Sequence, residues 1–145
     1  MEFEVRRAGA EDAAIIHAIT RKSYAEYLGV LNPPQKAQSE TVEDVAQAIA
    51  LGGAGILFAD GLAVGSVRFA RVGEDVLIER LAVLPEPRRQ GAAKALLAFA
   101  EAQDRAAGAR MARLGVRLRL AGNVLLYRSQ GYQRRRKTSS LRARI

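Results

Sequence analysis

The period of the apolar positions changes several times along the chain. Phe3 to Arg7 reads as a first strand. From Ala10 to about Tyr27 the spacing is helical: Ala13, Ile16, Ile19 and Tyr24 can share one face, with Ala14 and Ile15 beside it. Leu28 to Gln38 interrupts the pattern, because Gly29, Asn32, Pro33 and Pro34 deny regular structure. Thr41 followed by Asp44 resembles a capping box with aspartate in place of the usual Glu or Gln. It predicts a helix over Val42 to Leu51 that buries Val45, Ala48 and Ile49 and stops at Gly52-Gly53. Ile56 to Ala59 and Leu62 to Val72 read as strands joined by Asp60-Gly61, a good two-residue hairpin turn. Gly73-Glu74-Asp75 then turns the chain into a strand over Val76 to Leu84. Three antiparallel strands are thus expected before the next helix.

Pro85 and Pro87 stop that strand, since proline offers no donor to a ladder. An alanine-rich helix is expected from near Arg89 to about Ala107, with Gly108 placed for a left-handed C-cap. Met111 to Leu120 alternates, with Leu114, Val116, Leu118 and Leu120 on one face and Arg113, Gly115, Arg117 and Arg119 on the other. A strand–helix–strand crossover of this length implies that this strand runs parallel to Val76–Leu84. Ala121-Gly122 leads into a short helix from Asn123 to Gln130, ended by Gly131. Two short strands, Tyr132 to Lys137 and Ser139 to Arg144, close the pattern. No repeat and no linker divides the chain, so one mixed α/β domain over residues 1–145 is expected.

Composition narrows the chemistry. Hydrophobic residues make up 49% of the 145, enough for a core, and no run of about 18 apolar residues suggests a membrane span. The N-terminus lacks the apolar run of a signal peptide, so a cytoplasmic protein is the default expectation. The absence of cysteine excludes disulfides, thiolate metal sites and a covalent cysteine intermediate. A single histidine, His17, cannot build a multi-histidine metal site, and a surface or capping role is expected for it. The net charge of +8 points to a polyanionic partner or a phosphorylated cofactor. Its excess lies chiefly in the second half, from Arg113 through Arg134, Arg135, Arg136 and Lys137 to Arg144.

The strand–helix junction Arg88-Arg89-Gln90-Gly91-Ala92-Ala93-Lys94 has the physics of an anion site. A helix start leaves four backbone N–H groups without intrahelical partners, and the helix dipole adds partial positive charge. Gly91, Ala92 and Ala93 let a phosphate approach the backbone, while Arg88, Arg89 and Lys94 raise the potential. A diphosphate is the natural guest.

Arg88-x-x-Gly91-x-Ala93, following Leu81-Ala82-Val83-Leu84-Pro85, resembles the acetyl-CoA motif of the GNAT superfamily of N-acetyltransferases. The usual second glycine is Ala93 here. A second stretch, Asn123-Val124-Leu125-Leu126-Tyr127-Arg128-Ser129-Gln130-Gly131-Tyr132, is similar to the family's Asn-x-x-Leu/Phe-Tyr-x-x-x-Gly-Phe/Tyr element. Both stand in the family's order and at its separation. The resemblance implies a central mixed, mostly antiparallel sheet of six to seven strands with helices on both faces. Its parallel pair would be splayed to admit acetyl-CoA.

The resemblance also implies roles. Pantetheine would add like a strand to the backbone of Leu81, Ala82 and Val83, with one N–H polarising the thioester carbonyl. The pyrophosphate would lie on the backbone from Arg89 to Lys94. Tyr127 matches the tyrosine that protonates or steadies the departing thiolate; its phenol, with a reference pKa of ~10, stays protonated at neutral pH. A packed aromatic is the alternative for Tyr127. Asn123 would bond the cofactor arm or simply cap its helix. Glu79, on the central strand, is the best candidate for the general base. Its alternatives are an ordered water in its place, or a salt bridge from Glu79 to Arg68 or Arg117. Tyr24, Tyr27 and Asn32-Pro33-Pro34 are candidates for shaping the acceptor mouth. Without a cysteine, direct attack by the amine is the simplest route, and no metal is called for.

Three function classes follow. The first is an acetyl-CoA-dependent N-acetyltransferase acting on a small amine or a protein amine, with homodimerisation through the last strands as a family habit. The second is a non-catalytic acyl-CoA-binding or sensing module. The third is a nucleic-acid binder, suggested by charge but lacking a recognition motif, with four Phe and four Tyr for stacking.

Overall fold

A computed structural model describes residues 3–24, 40–84, 91–114, 133–134 and 141–144. The elements are β1 (Phe3–Arg7), a 3-10 turn (Ala10–Asp12), α1 (Ala13–Tyr24), α2 (Val42–Leu51), β2 (Gly53–Ala59), β3 (Leu62–Val72), β4 (Asp75–Val83), α3 (Ala92–Ala106), β5 (Met111–Leu114), β6 (Gln133–Arg134) and β7 (Leu141–Arg144). The strands form one seven-stranded sheet in the order β1-β2-β3-β4-β5-β7-β6. Among the described residues β4 and β5 are the one parallel pair, from Asp75↔Met111 to Ile78↔Leu114; the other neighbours are antiparallel. This is the mixed α/β architecture expected from the sequence. The short helix expected over 123–130 lies outside the described residues, as does the continuation of β5 beyond Leu114.

Local chemistry explains most of the boundaries. Thr41 caps α2: its hydroxyl accepts from Asp44 N at 3.1 Å, and Asp44 Oδ2 accepts from Thr41 N at 3.0 Å. Asp60 and Gly61, with φ of 49° and 86°, make the tight turn between β2 and β3. Gly108, at φ 98°, follows α3 in the left-handed region.

The sheet separates two apolar clusters. On one face α3 packs Leu96, Leu97 and Ala100 against Leu57, Val67, Phe69, Val76 and Ile78. On the other, Ile16 of α1 and Val45 and Ile49 of α2 meet Ala8, Ala54 and Ile56. The buried face of α1 extends toward Thr20 and Ser23 rather than toward Ile15. Ala13, Ile16 and Ile19 are buried as read, but Ile15 is exposed, and Thr20 and Ser23 are buried in the helix's second half. Thr20 Oγ1 donates to Ile16 O at 2.8 Å and Ser23 Oγ to Val83 O at 3.2 Å, so both hydroxyls are satisfied where α1 crosses the end of β4.

Candidate active site

The site is organised by an irregularity in β4. Along β3, Arg68 stands opposite Glu79 and Ser66 opposite Ala82, so one residue of β3 faces two of β4. That is a β-bulge, and Arg80 lies in it with φ of 54°. Before the bulge Val76 and Ile78 face α3; after it Leu81 and Val83 do. The change of parity turns Glu79 and Arg80, consecutive in sequence, onto the same face, under α1 and α2. A non-glycine residue at positive φ costs about 1–3 kcal/mol and needs its surroundings to hold it.

Buried charge supplies part of that hold. Arg68, 4% exposed, makes a two-pronged contact with Glu40, from Nη1 to Oε2 at 2.9 Å and from Nη2 to Oε1 at 2.6 Å. Arg80 Nε lies 3.6 Å from Glu40 Oε2, and Arg80 Nη1 lies 3.8 Å from Glu79 Oε2. Glu40 is itself pinned through its backbone, with its carbonyl oxygen 2.8 Å from His17 Nε2. His17, half-buried, thus ties α1 to the residue before the α2 cap, where a surface or capping role was expected. The salt bridge considered between Glu79 and Arg68 does not form: the two are cross-strand partners, but the guanidinium turns to Glu40. Arg117, the other partner considered, lies outside the described residues.

These side chains line a cleft of about 350 Å³ bounded by Glu40, Asp44, Gln47, Ala48, Leu51, Arg68, Glu79 and Arg80. Glu79 keeps 42% of its side chain exposed, and Leu51 stands 81% exposed at the end of α2. Of this wall, the sequence marked Glu79 as a site residue and Arg68 as its alternative salt-bridge partner, and it marked Asp44 and Ala48 only for the cap and core of α2. Its elements are brought together by the docking of α2, and the one local signal was the parity change across Glu79-Arg80.

The other expected site residues fall into two groups. Leu81, Ala82 and Val83 lie on β4 beyond the bulge, and Gly91, Ala92, Ala93 and Lys94 open α3. Leu81 and Val83 share a cluster with Ala92 and Ala93, so strand end and helix start are packed together. Gly91 has φ of 88°, and a Cβ placed there would meet no atom within 4 Å. The start of α3 has neither a side-chain cap nor an acidic residue in its first turn. An uncapped helix start behind an open glycine turn fits a phosphate group. The Ala92 side chain is 1% exposed and packs into the core. Arg88, Arg89, Gln90, Asn123 and Tyr127 lie outside the described residues, as do Tyr27 and Asn32-Pro33-Pro34. Among the described residues no cluster of acidic or histidine side chains could hold a metal ion, and no helix is long and apolar enough to cross a membrane.

Comparison with known proteins places this architecture. Residues 52–134 match the model of the acetyltransferase (GNAT) domain, and the chain belongs to that family. No curated protein sequence gave a significant match. Among solved structures the fold is similar to the PaiA N-acetyltransferase of Thermoplasma acidophilum in complex with coenzyme A, at 20% identity over all of both chains, with a TM-score of 0.84. It is also similar to Ard1 of Thermoplasma volcanium, at 16% identity over 100% of this chain and 99% of that one, TM-score 0.81. A GNAT family acetyltransferase of Brucella melitensis in complex with acetyl-CoA gives 21% identity over 99% of this chain and 88% of that one, TM-score 0.72.

Proposed function

We propose that this protein is an acetyl-CoA-dependent N-acetyltransferase that moves the acetyl group to a primary amine by direct attack. The observation that carries the reading is the bulge at Arg80. It presents Glu79 to a cleft on one face of β4, while the same strand runs on to the residues packed against the open start of α3.

In this reading the backbone from Arg89 to Lys94 holds the cofactor's diphosphate, with the side chains of Arg88, Arg89 and Lys94 adding charge. The backbone of Leu81, Ala82 and Val83 aligns its arm, and Asn123 bonds it. Bound acetyl-CoA supplies an activated acyl group as a thioester. Glu79 takes the amine proton, directly or through one water, as the nitrogen–carbon bond forms. Tyr127 gives its phenolic proton to sulfur as the carbon–sulfur bond breaks, leaving an amide and a free thiol. We place the activity in the cytoplasm as part of the same proposal; the cysteine-free chain has no need of an oxidising compartment.

The test is free-thiol release from acetyl-CoA against a panel of amines, amino acids, peptides and aminoglycosides, with calorimetry of acetyl-CoA binding beside it. Acceptor-dependent release is expected. Tight binding with no release on any acceptor would favour a sensor, and no binding would refute the assignment of Arg88 to Lys94.

A further inference from the structure

The charges around the cleft point to the kind of amine it takes. Among the described residues its wall carries three carboxylates, Glu40, Asp44 and Glu79, and two guanidiniums, Arg68 and Arg80, a formal excess of one negative charge. The arrangement matters more than the count. Both terminal nitrogens of Arg68 bond Glu40, and its Nε is buried. The Nε of Arg80 is buried too, and its guanidinium lies between Glu40 and Glu79, 3.6 Å from one and 3.8 Å from the other. Arg68 is therefore neutralised by Glu40, and Arg80, whose Nε has no hydrogen-bond partner among the described residues, is balanced by Glu40 and Glu79 together. Glu79, with 42% of its side chain exposed, is the charged group on this strand that faces outward most. A substrate carboxylate entering here would meet Glu79 and Asp44 and would have to strip Arg80 from its partners; an ammonium would meet them favourably. Ala48 and the exposed Leu51 extend the wall with apolar surface.

We infer that the acceptor is a primary amine with no carboxylate beside it, carried on an apolar arm, and that Glu40 sets this preference by neutralising Arg68 and, with Glu79, Arg80. The inference rests on the acetyltransferase reading above. Glu40 acts through the two arginines and is a positioning residue. Without its charge the two guanidiniums would face the cleft with Glu79 and Asp44 alone, and the wall would no longer discriminate against an anionic group.

The experiment compares acceptors with and without the carboxylate, phenylalaninamide with phenylalanine and tyramine with tyrosine, with each rate referred to the concentration of unprotonated amine. Free-thiol release is followed at saturating acetyl-CoA with the full-length protein. The wild type is expected to show a kcat/KM at least tenfold higher for the carboxylate-free member of each pair. Equal or better use of the amino acids would overturn the inference, as would no release from any of the four by protein that binds acetyl-CoA in calorimetry. Loss of acetyl-CoA binding itself would instead mark failure of the acetyltransferase reading. Glu40→Gln is expected to narrow the ratio at least threefold without changing acetyl-CoA affinity, and Glu40→Asp to retain it. Leu51→Lys adds a cation at a position exposed enough to leave folding intact, and is expected to narrow the ratio too. An unchanged ratio in Leu51→Lys and in a folded Glu40→Gln would remove electrostatics from acceptor choice.

Discussion

Arg68→Ala tests the wall at its most buried point. The substitution removes both hydrogen bonds to Glu40, at 2.9 and 2.6 Å, and leaves a carboxylate whose side chain is only 10% exposed. Breaking a buried pair by deleting one partner costs about 3–5 kcal/mol, because the surviving charge stays out of water. Arg80 Nε, 3.6 Å from Glu40 Oε2, offsets part of this, so the lower end, about 3 kcal/mol, is expected. For a chain of this length each kcal/mol lowers Tm by about 3 °C, giving a fall of about 9 °C. Urea unfolding followed by circular dichroism measures it, with an unchanged slope confirming that the denatured state is unaltered. The double variant Glu40→Leu/Arg68→Met removes this pair but leaves Arg80 with Glu79 alone, so it should recover part of the loss without reaching wild type. A loss below about 1 kcal/mol for Arg68→Ala, or a double variant as unstable as the single, would show that Glu40 is solvated in solution and that the network does not hold the bulge.

Four further substitutions, at Gly91, Tyr127, Gly53 and Asp104, test other parts of the molecule. Gly91→Glu places a side chain and a negative charge at a turn with φ of 88°, and should reduce acetyl-CoA affinity at least a hundredfold by calorimetry. Tyr127→Phe should lower kcat at least tenfold while acetyl-CoA affinity stays within about twofold; an unchanged kcat removes the phenol from the chemistry. A Cβ at Gly53 would lie 2.5 Å from the ring of its cross-strand partner Phe69, which is 4% exposed and cannot retreat; Gly53→Ala should therefore cost about 1–3 kcal/mol in urea unfolding. Asp104 is held above the usual carboxylate range chiefly by burial, with Arg71 and Arg7 pulling the other way, and its Oδ2 has no hydrogen-bond partner among the described residues. A raised native pKa weakens folding once the group ionises, so Asp104→Asn should be more stable than wild type at neutral pH. The advantage should shrink as pH falls through the raised native value and vanish below the unfolded value near ~4. Stability curves that stay parallel over that range would contradict the assignment.

Elements governed by neighbours in sequence were legible before any coordinates. Thr41 and Asp44 cap α2 reciprocally, Asp60-Gly61 closes the β2–β3 hairpin and Gly108 follows α3, each through contacts spanning at most a few residues. The parallel pairing of β4 with β5 was legible too, because a right-handed crossover through α3 leaves little choice. Of the candidate site, the strand carrying Glu79 was placed correctly, while the helix expected from near Arg89 starts at Ala92 with Gly91 as its N-cap.

Other features needed the assembled sheet. Apolar spacing alone does not say which flank of α1 meets β4, so Ile15 was read beside the buried face while Thr20 and Ser23 were not. Glu40 and Arg68 are 28 positions apart, and their contact exists only once α2 docks across β3. Arg68 has Glu79 as its cross-strand partner, and strand register by itself would pair those two. The amino-acid sequence determined the order of the elements and the ends marked by Thr41, Asp60-Gly61 and Gly108, since these follow from backbone capping and local steric rules. The tertiary structure decided the bulge at Arg80, the direction of its guanidinium and the charge presented to the cleft. Those depend on which buried ions can find partners, and burial is a property of the packed layers rather than of any one stretch of chain.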